Sequence, residues 1–178
     1  MLSDNSRQEN DAEHSWHMAL TALILFEYCT IEGVDINRVI RMILIHDLVE
    51  IYAGDTFAYD IEGNETKESR EQVSATKLYS ILPENQNIEY RELWEEFEKM
   101  ETPDAIYASA IDRLQSLHNI HLSKGYTWKK HGITAKQIYT RMKPIKTTLP
   151  KLWEYVELVV KQGLKEGYIR EVYSDDAI

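Results

Sequence analysis

His46 and Asp47 follow directly on Met42-Ile43-Leu44-Ile45, which puts two polar groups inside the most hydrophobic helical stretch of the chain. Burying an unpaired carboxylate costs on the order of several kcal/mol even after relaxation, so such a doublet needs a partner. A divalent cation would satisfy both side chains at once. A hydrogen bond between them, or to nearby backbone, would also do so, and for an isolated doublet that arrangement is the commoner. The other ligand-type residues tilt the balance. Glu50 lies four residues after His46 and three after Asp47, on the same side of a helix. Glu13-His14 opens a separate helix, and Asp112 sits among Ala105, Ile106, Ala108, Ala110 and Ile111 on a third. Three helices each bring a ligand-type side chain out of packed surroundings, and the reading moves to a metal site.

Two imidazoles and two carboxylates, from His14, His46, Asp47 and Asp112, make a donor set of intermediate hardness. It suits manganese, iron, cobalt or zinc, with magnesium admissible where water completes the shell. The two aspartates neutralise a divalent ion, and four protein ligands leave two octahedral positions for a phosphate oxygen and a water. An ion so placed polarises a phosphoryl group and acidifies the water. Glu50, close to the ligand set but outside it, is the natural acid/base and forms the catalytic group together with Asp47. One histidine-aspartate doublet indicates one ion rather than two. Lys67, Arg70 and Arg113 are cations an anionic substrate could use, although each taken singly is more commonly a solvated charge or an ion-pair partner. His17 reads as a neighbour of the site, and His118 with His121 as a polar helix face. The stretch Tyr126-Thr127-Trp128-Lys129-Lys130 either stacks a base or makes a core or subunit contact.

The elements that must hold these residues are helical throughout. From Asp11 to about Glu32, Trp16, Ala19, Leu20, Leu23, Ile24 and Phe26 recur three and four apart. Gly33 ends this helix, and Asp35 caps a second that carries Ile36, Val39, Ile40, Ile43, Leu44 and Leu48 and runs to Gly54. Asp55 to Asn64 reads as a loop with Thr56, Asp60 and Gly63 as turn residues. Helices follow from about Thr66 to Leu82, from Ile88 to Met100, and from Pro103, capped by Thr102, to Leu122. A basic, aromatic loop over Ser123 to Gly132 precedes helices near Thr134 to Met142 and Leu149 to Lys165. The expected architecture is all-α, about seven helices around one core, in a single domain over 1–178 with core helices in 11–122 and C-terminal helices in 134–166.

Composition narrows the partners. With 20 basic and 30 acidic residues the formal net charge is −10, which disfavours polymeric nucleic acid and anionic membrane surfaces. A small phosphorylated substrate stays open, because a bound cation dominates its local field. Cys29 is the only cysteine, so no intrachain disulfide forms, and its apolar neighbours suggest a core thiol. Neither a signal-peptide pattern nor a membrane-spanning apolar run is present, and a cytoplasmic protein is expected.

Taken together, the histidine, the histidine-aspartate doublet and the distant aspartate, in that order and on helices, resemble the HD-domain phosphohydrolase superfamily. Arg7-Gln8-Glu9-Asn10-Asp11-Ala12-Glu13-His14-Ser15 is similar to the R-x-E-N-x-x-E-H-S signature of its 5'-deoxynucleotidase-like branch. His46-Asp47-Leu48-Val49-Glu50-Ile51-Tyr52-Ala53-Gly54-Asp55-Thr56 resembles that branch's H-D-x-x-E-x-x-x-G-D segment, and Asp112-Arg113-Leu114-Gln115 its D-[KR]-L-Q segment. The resemblance implies His14, His46, Asp47 and Asp112 as ligands of an obligatory divalent metal. It further implies Glu50 as a catalytic carboxylate, Asp55-Thr56 as part of the nucleotide pocket, and a homodimer. The activity it implies is removal of phosphate from (deoxy)nucleoside 5'-monophosphates. Hydrolysis of nucleoside polyphosphates or cyclic nucleotides, and nucleotide or metal sensing without turnover, are the alternatives. The family's arginine-tryptophan pair, carried on a helix before the first motif, has no counterpart in the thirteen residues ahead of His14.

Overall fold

The computed structural model describes residues 1–2 and 4–170, and its regular elements there are all helical. In chain order they are α1 (Asp11–Leu25), α2 (Ile36–Ile45), α3 (Glu50–Ala53), α4 (Ile61–Tyr79), α5 (Glu84–Lys99), α6 (Pro103–Leu122), α7 (Tyr126–His131), α8 (Ala135–Thr148) and α9 (Trp153–Lys165). Short 3₁₀ turns at Phe26–Tyr28 and Pro150–Leu152 join some of them. The all-α expectation holds. No helix among the described residues is long and apolar enough to cross a membrane.

Helix α6 is the axis of the molecule. Thr102 caps it through Ala105 N–H, Pro103 sits in its first turn, and ten of its 20 residues are buried. Ala105, Ala108 and Ala110 are small enough for neighbouring backbones to approach closely, and α1, α2, α5, α8 and α9 all pack against this helix. Tyr107, fully enclosed, donates its hydroxyl to the Ala22 carbonyl of α1 at 2.7 Å, so its one polar atom is satisfied. A smaller apolar cluster, Val49, Ala75, Tyr79 and Trp94, ties α4 and α5 to the start of α3.

Several boundaries differ from the sequence reading, each for a local reason. Helix α1 stops at Leu25 rather than near Glu32, tightening to 3₁₀ before Thr30 ties the chain to the end of α8 through the Thr147 and Thr148 carbonyls. Helix α2 is capped by Asp35 as expected but ends at Ile45, so His46 and Asp47 lie in a turn between α2 and α3, not inside a helix. There Leu48, Glu50 and Ile51 donate to carbonyls three residues back, and His46 Nδ1 takes the Ile43 carbonyl at 2.7 Å. Asp60 and Gly63 are not loop residues: Asp60 is the N-cap of α4, accepting from Gly63 N–H at 3.1 Å. A Cβ on Gly63 would come within 2.6 Å of Asp60 Oδ2. The basic, aromatic stretch also forms a helix, α7, bounded by the left-handed Gly125 and Gly132 and anchored by the fully buried Trp128.

Candidate metal centre

Asn10 accepts from Glu13 N–H while the Glu13 carboxylate reaches back to Asn10 N–H, a reciprocal cap that fixes the first turn of α1. Arg7 clamps the same Glu13 carboxylate, with Nη1 2.7 Å from Oε2. His14 therefore enters from a rigid helix start, His46 and Asp47 from the turn after α2, and Asp112 from the middle of α6. One ligand atom each from His14, His46 and Asp112 lie within 4.8 Å of one another. Asp47 closes the group, with Oδ1 3.0 Å from His46 Nε2 and Oδ2 3.5 Å from His14 Nε2. Asp112 Oδ1 lies 3.4 Å from His14 Nε2.

Hydrogen bonding on the far side of each ring sets the chemistry of the near side. His14 Nδ1–H donates to Gln115 Oε1 at 3.0 Å, and His46 Nδ1–H donates to the Ile43 carbonyl. In the neutral imidazoles both Nε2 atoms then carry lone pairs aimed at carboxylate oxygens. His46 Nε2 is fully buried and makes no hydrogen bond of acceptable geometry, although Asp47 Oδ1 is close. Lone pairs facing lone pairs repel unless a positive charge sits among them. Converging acceptors with a protonated far side are the arrangement a divalent cation requires, and the residues present fit one.

The titration behaviour shows the same demand for positive charge. Burial by itself would lower the pKa of both imidazoles. The facing carboxylates reverse that, raising His46 and taking His14 up to about 11, with Asp112 and Glu9 the largest contributors at His14. Packing around Asp112 would raise its pKa, but His14, His46 and Arg141 hold it well below the usual carboxylate range. Glu50, at the first position of α3, is pushed up to about 8 by burial and then by the Asp47 and Asp55 carboxylates. Asp55 follows Gly54 in the next loop, and partial desolvation together with Asp47 raises its pKa as well.

The remaining expected site residues divide. Thr56 does not stand free for a ligand: its Oγ1 accepts from Arg70 Nη2 at 2.7 Å. Arg70 also donates to the Ala53 and Gly63 carbonyls, which makes it the brace of the loop between α3 and α4. Lys67 pairs with Glu71 at 3.5 Å. Arg113 donates Nη1 to the Ser109 carbonyl one turn back along α6 and makes no ion pair with the cluster among the described residues. His118 bonds the Tyr155 hydroxyl at 2.7 Å and His121 packs on the same ring, so both are structural. Three contributors escaped the sequence reading, Gln115, Glu9 and Arg141. Gln115 orients His14, and Glu9 holds Gln115 by accepting from its Nε2 at 2.9 Å while also accepting from Asn119. Both stand inside the motif segments, which was the available signal. Arg141 of α8, 3.9 Å from Asp112 Oδ2, had none.

Residues 1–153 match the model of the HD domain family. The chain belongs to that family. Among curated proteins, this HD domain is 30% identical over 111 residues to the 5'-deoxynucleotidase HDDC2 of Bos taurus, an alignment covering 62% of this chain and 52% of that protein. It is 28% identical over 150 residues to the 5'-deoxynucleotidase YGK1 of Saccharomyces cerevisiae, covering 82% and 66%. The chain thus spans about half the length of the first of these relatives. Among solved structures, a predicted metal-dependent phosphohydrolase from Magnetospirillum magnetotacticum superposes with a TM-score of 0.89 at 45% identity, over 96% of this chain and 85% of that one. At this identity and coverage the likeness extends to nearly the whole arrangement that carries the four-residue cluster.

Proposed function

We propose that the chain is a metal-dependent phosphohydrolase that releases phosphate from (deoxy)nucleoside 5'-monophosphates. The observation that carries this reading is the convergence of His14, His46, Asp47 and Asp112, with both Nε2 atoms facing carboxylate oxygens and both Nδ1 atoms engaged on the far side. The 5'-deoxynucleotidase relatives supply the substrate class. One divalent ion held by these four residues would contribute Lewis-acid polarisation of the phosphoryl group and of the attacking water.

The chain's own groups do the rest. Gln115 and the Ile43 carbonyl hold the imidazoles in the ligating tautomer. Water adds to phosphorus and the ester P–O bond breaks, with water losing one proton and the departing alkoxide needing one. Glu50, whose burial beside Asp47 and Asp55 raises its pKa to about 8 in the metal-free chain, is the group we assign to carry that proton. Asp47 faces both Nε2 atoms and would share the ion with the two rings.

The test is phosphate release by the manganese-loaded chain across a panel of nucleoside monophosphates. His46→Ala and Asp47→Ala each lower the rate by about a thousandfold or more. No release from any monophosphate sinks the proposal, and pyrophosphate or a linear nucleotide as product moves it to polyphosphates or cyclic nucleotides. We further propose a cytoplasmic homodimer. Trp16, Leu20, Leu23 and Ile24 form an apolar stripe along α1, Trp16 being 66% exposed, and a second copy would cover it. Light scattering of wild type and Leu23→Glu decides that point.

A further inference from the structure

Beside the four-residue cluster, α6 and α8 enclose an open pocket of about 590 Å³. Its walls carry three cations, Arg113, Arg141 and Lys136, together with Tyr59, Pro144 and Gln137, and among the described residues no carboxylate lines it. In a chain of formal net charge −10 this is an unusual grouping. Among the described residues neither Arg113 nor Lys136 has a carboxylate within ion-pair distance. Arg141 meets only Asp112 Oδ2, at 3.9 Å, on an aspartate already engaged with His14. Arg113 reaches one carbonyl and the sulfur of Met100, a weak acceptor, and its Nε is enclosed with no partner. Like charges converging on a half-buried concavity repel one another, and an anion removes that repulsion while accepting their N–H donors.

We propose that this pocket is an anion subsite for a phosphate-bearing small molecule, separate from the metal cluster but adjoining it through Arg141. Arg141 and Lys136 grip the phosphate, Arg113 supplies the field from behind, and the Tyr59 and Pro144 wall takes the uncharged part of the ligand. The volume suits a nucleotide-sized molecule, within the roughly 300–1,000 Å³ usual for small-ligand sites. The site differs from the Asp55 side of the cluster, where Asp47, Glu50 and Asp11 outnumber the one nearby lysine, Lys67. Binding here requires neither a metal nor turnover, so the proposal stands or falls apart from the hydrolase reading.

Calorimetric titration of the full chain in EDTA at low ionic strength provides the test, with inorganic phosphate and thymidine 5'-monophosphate as separate probes. Saturable binding of both is expected, with thymidine 5'-monophosphate the tighter because the Tyr59 and Pro144 wall takes the nucleoside. Arg141→Gln and Lys136→Ala each weaken binding about tenfold or more. Asp47→Asn, which alters the cluster and leaves the pocket intact, changes it by less than about threefold, and circular dichroism melts establish that every variant is folded. No saturable binding of either probe overturns the proposal. So does equal binding by wild type, Arg141→Gln and Lys136→Ala, or loss of binding in Asp47→Asn.

Discussion

At the residue scale, the far side of each histidine decides what its near side can do. In the neutral ring, Gln115 leaves the lone pair on His14 Nε2 by accepting from Nδ1, and Glu9 in turn fixes which way the Gln115 amide faces. Gln115→Leu should therefore lower manganese affinity by about 10- to 100-fold while the fold persists, as measured by metal titration beside a thermal melt. An unchanged affinity would show that the ring needs no such restraint. Glu50 yields a prediction with a definite sign. Its folded pKa of about 8 exceeds the ordinary 4.5, so between those values the folded metal-free protein binds more protons than the unfolded chain. Stability is then fully present below about pH 4.5 and declines as pH rises toward 8. Glu50→Gln removes the titration. In EDTA it should melt above wild type at pH 8 by roughly 2–8 °C, from about 1–2 kcal/mol for a part-exposed carboxylate, and near wild type at pH 4.5. A gap of the same size at both pH values would contradict the buried-charge account.

At the element scale, residue types announced the ligands more clearly than the backbone that presents them. Glu50 was legible from its spacing to His46 and Asp47, yet the helix assumed to carry all three ends at Ile45, because Leu48, Val49 and Ile51 continue an apolar pattern that conceals the break. The break comes from the His46 ring taking the Ile43 carbonyl and from hydrogen bonds three residues back, neither of which leaves a periodic trace. On α1 the period was readable and the phase was not. Trp16, Leu20, Leu23 and Ile24 face outward, while Ser15, Met18 and Ala22 form the buried face on the helix that packs against α2 and α6. Asp60 was read as a turn residue since aspartate serves turns and N-caps alike. Its actual use is testable: Asp60→Ala leaves Gly63 N–H without its acceptor and should cost about 1 kcal/mol, lowering the melting midpoint by roughly 2–4 °C. Asp60→Asn should recover most of that loss. A neutral effect of the alanine change would mean that α4 is held by packing alone.

At the scale of the whole molecule, the cluster lies where α1, the α2–α3 turn and α6 meet, so whatever charge occupies it is felt by all three. Without a cation, Asp47 lies beside the part-buried Glu50 and Asp55, and their mutual repulsion opposes the packing of α3 onto the rest. A divalent ion that binds the folded chain and not the unfolded one adds to stability by mass action, about 2.7 kcal/mol at a free concentration one hundred times the dissociation constant. For a chain of this length that corresponds to a rise in melting midpoint of roughly 5–11 °C, reversed by chelation. The rise should be largely lost in Asp112→Asn, which removes a ligand charge from the axial helix, and kept in Asp60→Asn, which is remote from the cluster. Differential scanning calorimetry with manganese and then EDTA measures it directly. If the midpoint is the same in both conditions, or if Asp112→Asn keeps the full rise, the four side chains do not share an ion, and their closeness would have to be explained by protons on His14 and His46.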